Sequence, residues 1–184
     1  MADASRRAVF LDRDGTIVED PGFLHQPGKV HLLAGAGEAI HQLNQAGWLV
    51  ITVSNQSGIA RGLYDAAAYQ AVQRRLVELL AAHDARLDGA YFCPHHPAFT
   101  GPCECRKPGL LLFREAQAAL GLDLTRCRWV GDRLSDVEPA RKLGGRALLV
   151  ETGGGATYVG KARALRIPVV ADLAAAAAEI VRGA

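Results

Sequence analysis

The residues able to do chemistry in this chain fall in a few short stretches, and the first is Leu11-Asp12-Arg13-Asp14-Gly15-Thr16. Two carboxylates one residue apart can divide two tasks once the backbone turns between them. Asp12 can attack phosphorus and form an aspartyl-phosphate. Asp14 can protonate the leaving oxygen and later deprotonate a water. Gly15 permits the sharp turn that brings both side chains to one pocket. An ordinary acidic turn reads the same way in isolation, because Asp-Gly is a common turn pair. The weight comes from what lies downstream.

Ser54-Asn55-Gln56-Ser57-Gly58-Ile59-Ala60-Arg61-Gly62 offers hydroxyls and amides that can donate to phosphoryl oxygens. Cys105-Arg106-Lys107-Pro108-Gly109 supplies cations for the charge that develops on those oxygens. Pro108 favours a helix start, which would put Lys107 at a helix N-terminus. A cation is poorly placed there on dipole grounds unless an anion shares the site. Trp129-Val130-Gly131-Asp132-Arg133-Leu134-Ser135-Asp136 adds two acids. Magnesium takes hard oxygen ligands, commonly one or two carboxylates with water and phosphate oxygens. Asp12, Asp132 and the backbone carbonyl of Asp14 are the expected protein share. Asp136 reads equally as a support for the metal site or as a cap on the following helix.

A separate cluster lies in residues 93–105, where Cys93, His95, Cys103 and Cys105 form a Cys₃His set suited to tetrahedral zinc. His96 competes with His95 for the nitrogen position. The loop leads directly into Arg106-Lys107, so a closed zinc site there would hold those cations in register. Cys127 has no such neighbours and reads as a small buried apolar residue.

These stretches need a scaffold that presents them together. Short β-rich runs at 8–11, 48–53, 89–93, 128–130, 147–150 and near 168–170 alternate with helical patterns at 36–46, 65–83, 110–120, 135–143 and after Asp172. Asp65 and Asp172 are expected N-caps, and Gly121 an expected helix stop. Such alternation predicts an α/β architecture, a parallel sheet with helices on both faces. Ligands in such sheets bind beyond the carboxyl ends of the strands. The polar, glycine-containing stretches follow Leu11, Val53, Cys93 and Val130, all at those ends. No linker or internal repeat divides the chain, so one domain over 1–184 is expected.

Composition excludes several classes. A formal charge of +2, scattered basic residues and 6% aromatics argue against a nucleic-acid partner. No apolar run approaches the roughly 18 residues of a membrane span, and the N-terminus has no signal-peptide pattern. A cytoplasmic protein is therefore expected, with thiols serving as thiols or metal ligands rather than disulfides. Nothing in the sequence demands more than a monomer.

The D-x-D-G-T motif after a strand, followed in order by Ser54, Lys107 and Asp132, resembles the haloacid dehalogenase (HAD) superfamily. That resemblance implies a three-layer, Rossmann-like fold and the aspartyl-phosphate mechanism. A zinc loop on a chain without a cap domain is similar to two of its families, the D-glycero-D-manno-heptose 1,7-bisphosphate 7-phosphatases and the histidinol-phosphate phosphatases. Ser54 to Gly62, Cys93-Pro94-His95-His96-Pro97 and Cys105 to Gly109 resemble the heptose family, and the likeness extends over about residues 8–155. It implies a magnesium-dependent phosphatase acting on a small sugar bisphosphate in the biosynthesis of nucleotide-activated heptose for lipopolysaccharide or S-layers. Asp12 would be nucleophile, Asp14 acid/base, and Ser54 and Lys107 holders of the phosphoryl group. Asp20, Gly22, Phe23, Asn55, Gln56, Ser57, Arg106 and Arg133 would contact substrate. The chain departs from the family in carrying Ser54 for the usual Thr. It also leaves only seven residues, 96–102, between His95 and Cys103, fewer than in some members, which bears on the identity of the sugar rather than on the chemistry.

Overall fold

The computed structural model describes residues 6–183. Residues 1–5, on which part of the reading of the N-terminus rests, and Ala184 lie outside the described residues. The described residues build six strands, β1 (Ala8–Leu11), β2 (Leu49–Asn55), β3 (Gly89–Cys93), β4 (Arg128–Gly131), β5 (Arg146–Val150) and β6 (Val169–Val170). All adjacent pairs run parallel, in the order β3-β2-β1-β4-β5-β6. The helices are α1 (Ala36–Gln45), α2 (Ser57–Ala60), α3 (Ala66–Ala81), α4 (Pro97–Thr100), α5 (Leu111–Leu120), α6 (Leu134–Leu143), α7 (Val159–Ala164) and α8 (Leu173–Arg182).

Side chains of β1 alternate between two apolar layers, as the period of a strand requires. Val9 and Leu11 join Ile40 and Leu43 of α1, Val72 and Leu76 of α3, and Ala176 and Ile180 of α8. Ala8 and Phe10 face the other way, onto Leu112, Phe113 and Ala116 of α5 and Ala140 of α6. With both faces covered, the sheet is the middle of three layers. Phe10, Phe113 and Trp129 pack with ring centroids 4.9–5.8 Å apart at the heart of the second layer.

The strand order reverses beside β1. The chain moves outward through β2 and β3, then returns to place β4 on the other side. A crevice opens at such a reversal beyond the carboxyl ends of the strands. Asp12 follows β1 and Asp132 follows β4, and the Asp12 amide donates to Val130 O at 3.0 Å. The first turn is therefore sewn to the neighbouring strand.

Expected caps are present. The Asp65 carboxylate accepts from the Ala68 amide and that of Asp172 from the Ala175 amide, both at 2.8 Å. Gly121 ends α5 in a left-handed conformation. One expectation is corrected. Helix α5 begins at Leu111, so Lys107 stands outside it and the dipole argument does not apply. Residues 104–109 instead fold back on themselves. The Gly109 amide donates to Arg106 O, and a Cβ on Gly109 would lie 2.2 Å from Glu104 O. The short helices α2, α4 and α7 were not anticipated, because four to six residues leave no readable apolar period.

Candidate active site

Asp12, Asp14, Asp20, Gly22, Phe23, Asn55, Gln56, Ser57, Arg106, Lys107 and Arg133 all line one cavity of about 470 Å³ at the carboxyl end of the sheet. Arg61, Tyr64, His96, Ser135 and Asp136 complete its wall. Ser54 and Asp132 are not on the wall; both are buried just behind it. A larger groove near the amino end of β5 is lined by arginines and apolar residues and contains no comparable cluster of acids.

The floor is built around Lys107, which is 4% exposed. Its ammonium donates to Asp12 Oδ1 and Asp136 Oδ1, each at 2.8 Å, and to the carbonyl of Val53. All three of its hydrogens are thus engaged. Asn55 fixes its backbone, accepting from the Lys107 amide at 2.9 Å and donating to the Lys107 carbonyl at 3.1 Å. Burial pulls the Lys107 ammonium down, but Asp12 and Asp136 more than reverse this and hold it charged.

The acids feel the same burial. Asp12 is pushed up to about 8 by burial, with Lys107 opposing and Asp136, Asp132 and Asp14 adding to the rise. Asp132 is pushed to about 6, by burial first and Asp136 second. One of its oxygens accepts from the Gly154 amide at 2.7 Å, and the other, Oδ1, is buried without a partner among the described residues. Gly15, at φ +88°, packs so close that a Cβ there would meet Asp132 Oδ2 at 2.6 Å. The glycine thus serves close approach as well as the turn.

Asp12, Asp132 and Asp136 offer carboxylate oxygens that all lie within 4.8 Å of one another. Once ionised, three carboxylates against one ammonium leave two negative charges, and Asp132 Oδ1 is buried with no donor among the described residues. That donor set fits a divalent cation with a taste for oxygen. Asp136 caps the following helix and also pairs with Lys107. Oδ1 pairs with Lys107, while Oδ2 accepts from the Arg133 amide at the start of α6 at 2.9 Å.

Asp14 is held differently. Arg13 is fully buried beneath the turn and grips the carboxylate with Nε and Nη2, each at 2.9 Å. Its guanidinium lies over the ring of Tyr69, 5.2 Å from the centroid. Arg13 and Tyr64 were missed by the sequence reading. The burial of an arginine inside the acidic motif leaves no signal in residue type alone.

At the rim, Arg133 reaches Asp20 at 3.5 Å, and Arg106 donates to the His95 carbonyl at 3.3 Å. The guanidinium of Arg61 sits 4.8 Å from the Phe99 ring and 5.6 Å from that of Phe23. Gly22 is kept at φ +79°, and its amide donates to Asp20 Oδ1 at 2.9 Å.

The sulfur cluster forms beside the floor. Sγ separations are 3.7 Å for Cys93–Cys103, 3.6 Å for Cys103–Cys105 and 2.9 Å for Cys93–Cys105. His95 Nδ1 lies 3.8 Å from Cys93 and 3.2 Å from Cys105. A tetrahedron with bonds of about 2.3 Å has edges of about 3.8 Å, close to most of these distances. His96 stands apart as the N-cap of α4, its Nδ1 accepting from the Ala98 amide at 3.2 Å. Cys127 is buried away from the cluster, pushed up to about 11 by burial. It does have partners, accepting from the Ala8 amide and donating to the Asp123 carbonyl, both at 3.3 Å.

Known proteins resemble this chain in sequence and in fold. A HAD-hydrolase-like family model matches residues 104–176. A D-glycero-β-D-manno-heptose-1,7-bisphosphate 7-phosphatase of Yersinia pestis is 39% identical over 165 residues, covering 85% of this chain and 87% of that protein. One from Escherichia coli K12 is 38% identical over 152 residues, covering 79% and 80%. The crystal structure of a D,D-heptose 1,7-bisphosphate phosphatase from B. bronchiseptica, complexed with magnesium and phosphate, superposes with a TM-score of 0.88 at 34% identity. That match covers 97% of this chain and 99% of the other. Likeness of this extent, in sequence over most of both chains and in fold, means that the chain belongs to the D-glycero-β-D-manno-heptose-1,7-bisphosphate 7-phosphatase family of HAD-like phosphatases.

Proposed function

We propose that the chain removes the C7 phosphate of D-glycero-D-manno-heptose 1,7-bisphosphate through an aspartyl-phosphate. The observation that carries this reading is the meeting of Asp12, Asp14 and Lys107 on one cavity wall, with Asp132 buried directly behind it. An acid pair, a cation and a metal-fitting trio are what phosphoryl transfer requires.

Asp12 attacks the C7 phosphorus as the bond to the C7 oxygen breaks, and Asp14 gives that oxygen its proton. Water then attacks the aspartyl-phosphate. Asp14 takes the water's proton, the bond from phosphorus to Asp12 breaks, and inorganic phosphate leaves. Lys107 holds the nucleophile and places its charge beside the phosphoryl group, and the Ser54 hydroxyl donates to a phosphoryl oxygen. Asp12, Asp132 and the Asp14 carbonyl would hold Mg²⁺, with Asp136 at the edge of the same trio. Such an ion would supply Lewis-acid stabilisation of the negative charge on the phosphoryl oxygens. Cys93, His95, Cys103 and Cys105 would hold a structural Zn²⁺ that keeps Arg106 and Lys107 in place.

A bisphosphate suits the rim, where Arg61, Arg106 and Arg133 line the cavity and can meet a second phosphate. Histidinol phosphate has only one phosphate and would leave those cations unmatched. A product still phosphorylated at C1 suits a later reaction that attaches a nucleotide there.

Phosphate release from the heptose bisphosphate and from histidinol phosphate, with and without magnesium, tests the reading. The bisphosphate is expected to lead in kcat/KM by more than about tenfold, one lost phosphate contact being worth at least that. The reverse order would favour the histidinol family. Asp12→Asn is expected to lower kcat by at least about 10⁴-fold with an unchanged circular-dichroism spectrum. Near-normal turnover in that variant would refute the nucleophile.

A further inference from the structure

Gln56 stands in the stretch whose amides suit substrate contact, and it lines the cavity. Its own hydrogen bonds point elsewhere. The residue is 2% exposed. Its side-chain nitrogen donates to Asp14 Oδ2 and to Ser54 Oγ, both at 2.9 Å. An amide nitrogen has two hydrogens, so both are spent. The nitrogen faces Asp14 because both oxygens of that carboxyl already act as acceptors, of the Arg13 guanidinium. The amide oxygen accepts from the Tyr64 hydroxyl at 2.5 Å. The Gln56 backbone amide donates to the Cys93 carbonyl at 2.8 Å, tying the hub to β3.

We infer that Gln56 is a positioning residue, locked by Tyr64, that sets the orientation of Asp14 and the Ser54 hydroxyl together rather than binding substrate. The inference rests on the roles proposed above for Asp14 and Ser54.

Asp14 is thereby held from two sides, by the Arg13 fork and by Gln56. Three donors occupy its oxygens, two of them on Oδ2, which leaves room on Oδ1 for a proton in transit. Ser54 accepts from Gln56, so its own hydrogen is left to reach an acceptor such as a phosphoryl oxygen. One amide thus coordinates a group of the first loop with a group of the second.

Tyr64 comes from beyond α2 and reaches back over Gly58. A Cβ at position 58 would fall 2.1 Å from Tyr64 Cε1, so the glycine is the space that the ring occupies. The ring stacks on His25, with centroids 5.5 Å apart and planes 8° from parallel. Burial pushes the Tyr64 phenol up to about 12, which keeps its O–H intact as the donor to Gln56.

The test is steady-state kinetics of the magnesium-loaded enzyme on the heptose bisphosphate for Gln56→Met, Tyr64→Phe and the wild type. Gln56→Met keeps the length and removes every side-chain hydrogen bond. It is expected to lower kcat about 100-fold while KM stays within about threefold, the pattern of a contact felt in the transition state alone. Tyr64→Phe removes one bond and is expected to lower kcat about threefold to tenfold, again with KM held. In an Asp14→Asn background, the kcat effect of Gln56→Met is expected to shrink at least about fivefold, because coupled residues are not additive.

A rise in KM with kcat intact would make Gln56 a substrate contact and overturn the inference. So would an equal effect of Gln56→Met in both backgrounds, or wild-type kinetics in Tyr64→Phe, a change too mild to threaten folding. If the wild type itself released no phosphate from the bisphosphate, the proposed function would fall and this inference with it. The two failures are therefore distinct.

Discussion

Single residues carry most of the chemistry, and their environment decides what they can do. Asp12 and Asp132 are ordinary aspartates in sequence, yet burial beside other acids raises both well above the usual carboxylate range. Gly15 is the clearest case of a residue with two constraints, a positive φ and contact with Asp132 Oδ2. Gly15→Ala is expected to cost about 1–2 kcal/mol through the backbone alone. By displacing Asp132 it is also expected to weaken magnesium binding by about tenfold or more. A calorimetric titration with Mg²⁺ checks this, and unaltered affinity would show that Asp132 is not held by that contact. The acid pair, the lysine and the four zinc-suited residues were all legible, because their types and spacing admit few other uses. Arg13 and Tyr64 were not, since nothing in an arginine or tyrosine codon-by-codon distinguishes a buried clamp from a solvated side chain.

At the scale of elements, strand ends and loops bring these residues together. Asp12 extends β1, Ser54 lies within β2, Cys93 ends β3 and Asp132 follows β4. The sulfur cluster spans the end of β3 and the turn that carries Arg106 and Lys107, so a metal there would brace the cation against the strand. Elemental analysis is expected to find about one zinc per chain. Cys103→Ser is expected to lose that zinc together with most of the activity. Cys127→Ala should keep both at a cost of about 1 kcal/mol, as for a small buried side chain. Zinc retained in full by Cys103→Ser would overturn the ligand set. Strand and helix positions were readable to within a residue or two, since apolar runs and caps mark them. The turn at residues 104–109 was misread as a helix start, because Pro108 suits either and only the close approach of Gly109 to Glu104 O decides between them.

The whole molecule sets the electrostatics. A carboxylate whose folded pKa is raised binds its proton more tightly in the native state than in the unfolded chain, so its contribution to stability is greatest at low pH. For Asp132 and Asp12 that contribution is lost as pH climbs from about 4 towards about 6 and about 8. The metal-free protein should therefore lose stability across that window relative to Asp132→Asn. Added magnesium, which binds the ionised form, should raise Tm more at the upper end than at the lower. Scanning calorimetry at several pH values, with and without Mg²⁺, measures both; a Tm difference between wild type and Asp132→Asn that does not vary with pH would refute the assignment. No described helix is long and apolar enough to cross a membrane. By itself the sequence determined the α/β layering, the strand ends that meet at the cavity, the acids and the lysine gathered there, and the zinc-suited set, because periodicity and residue type are local properties. Only the tertiary structure decided that Asp136 shares Lys107 with Asp12, that Arg13 lies buried under Asp14, and that Gln56 joins Asp14 to Ser54. Those are meetings of side chains from different strand ends, and no local pattern specifies which groups a folded chain will bring within hydrogen-bond distance.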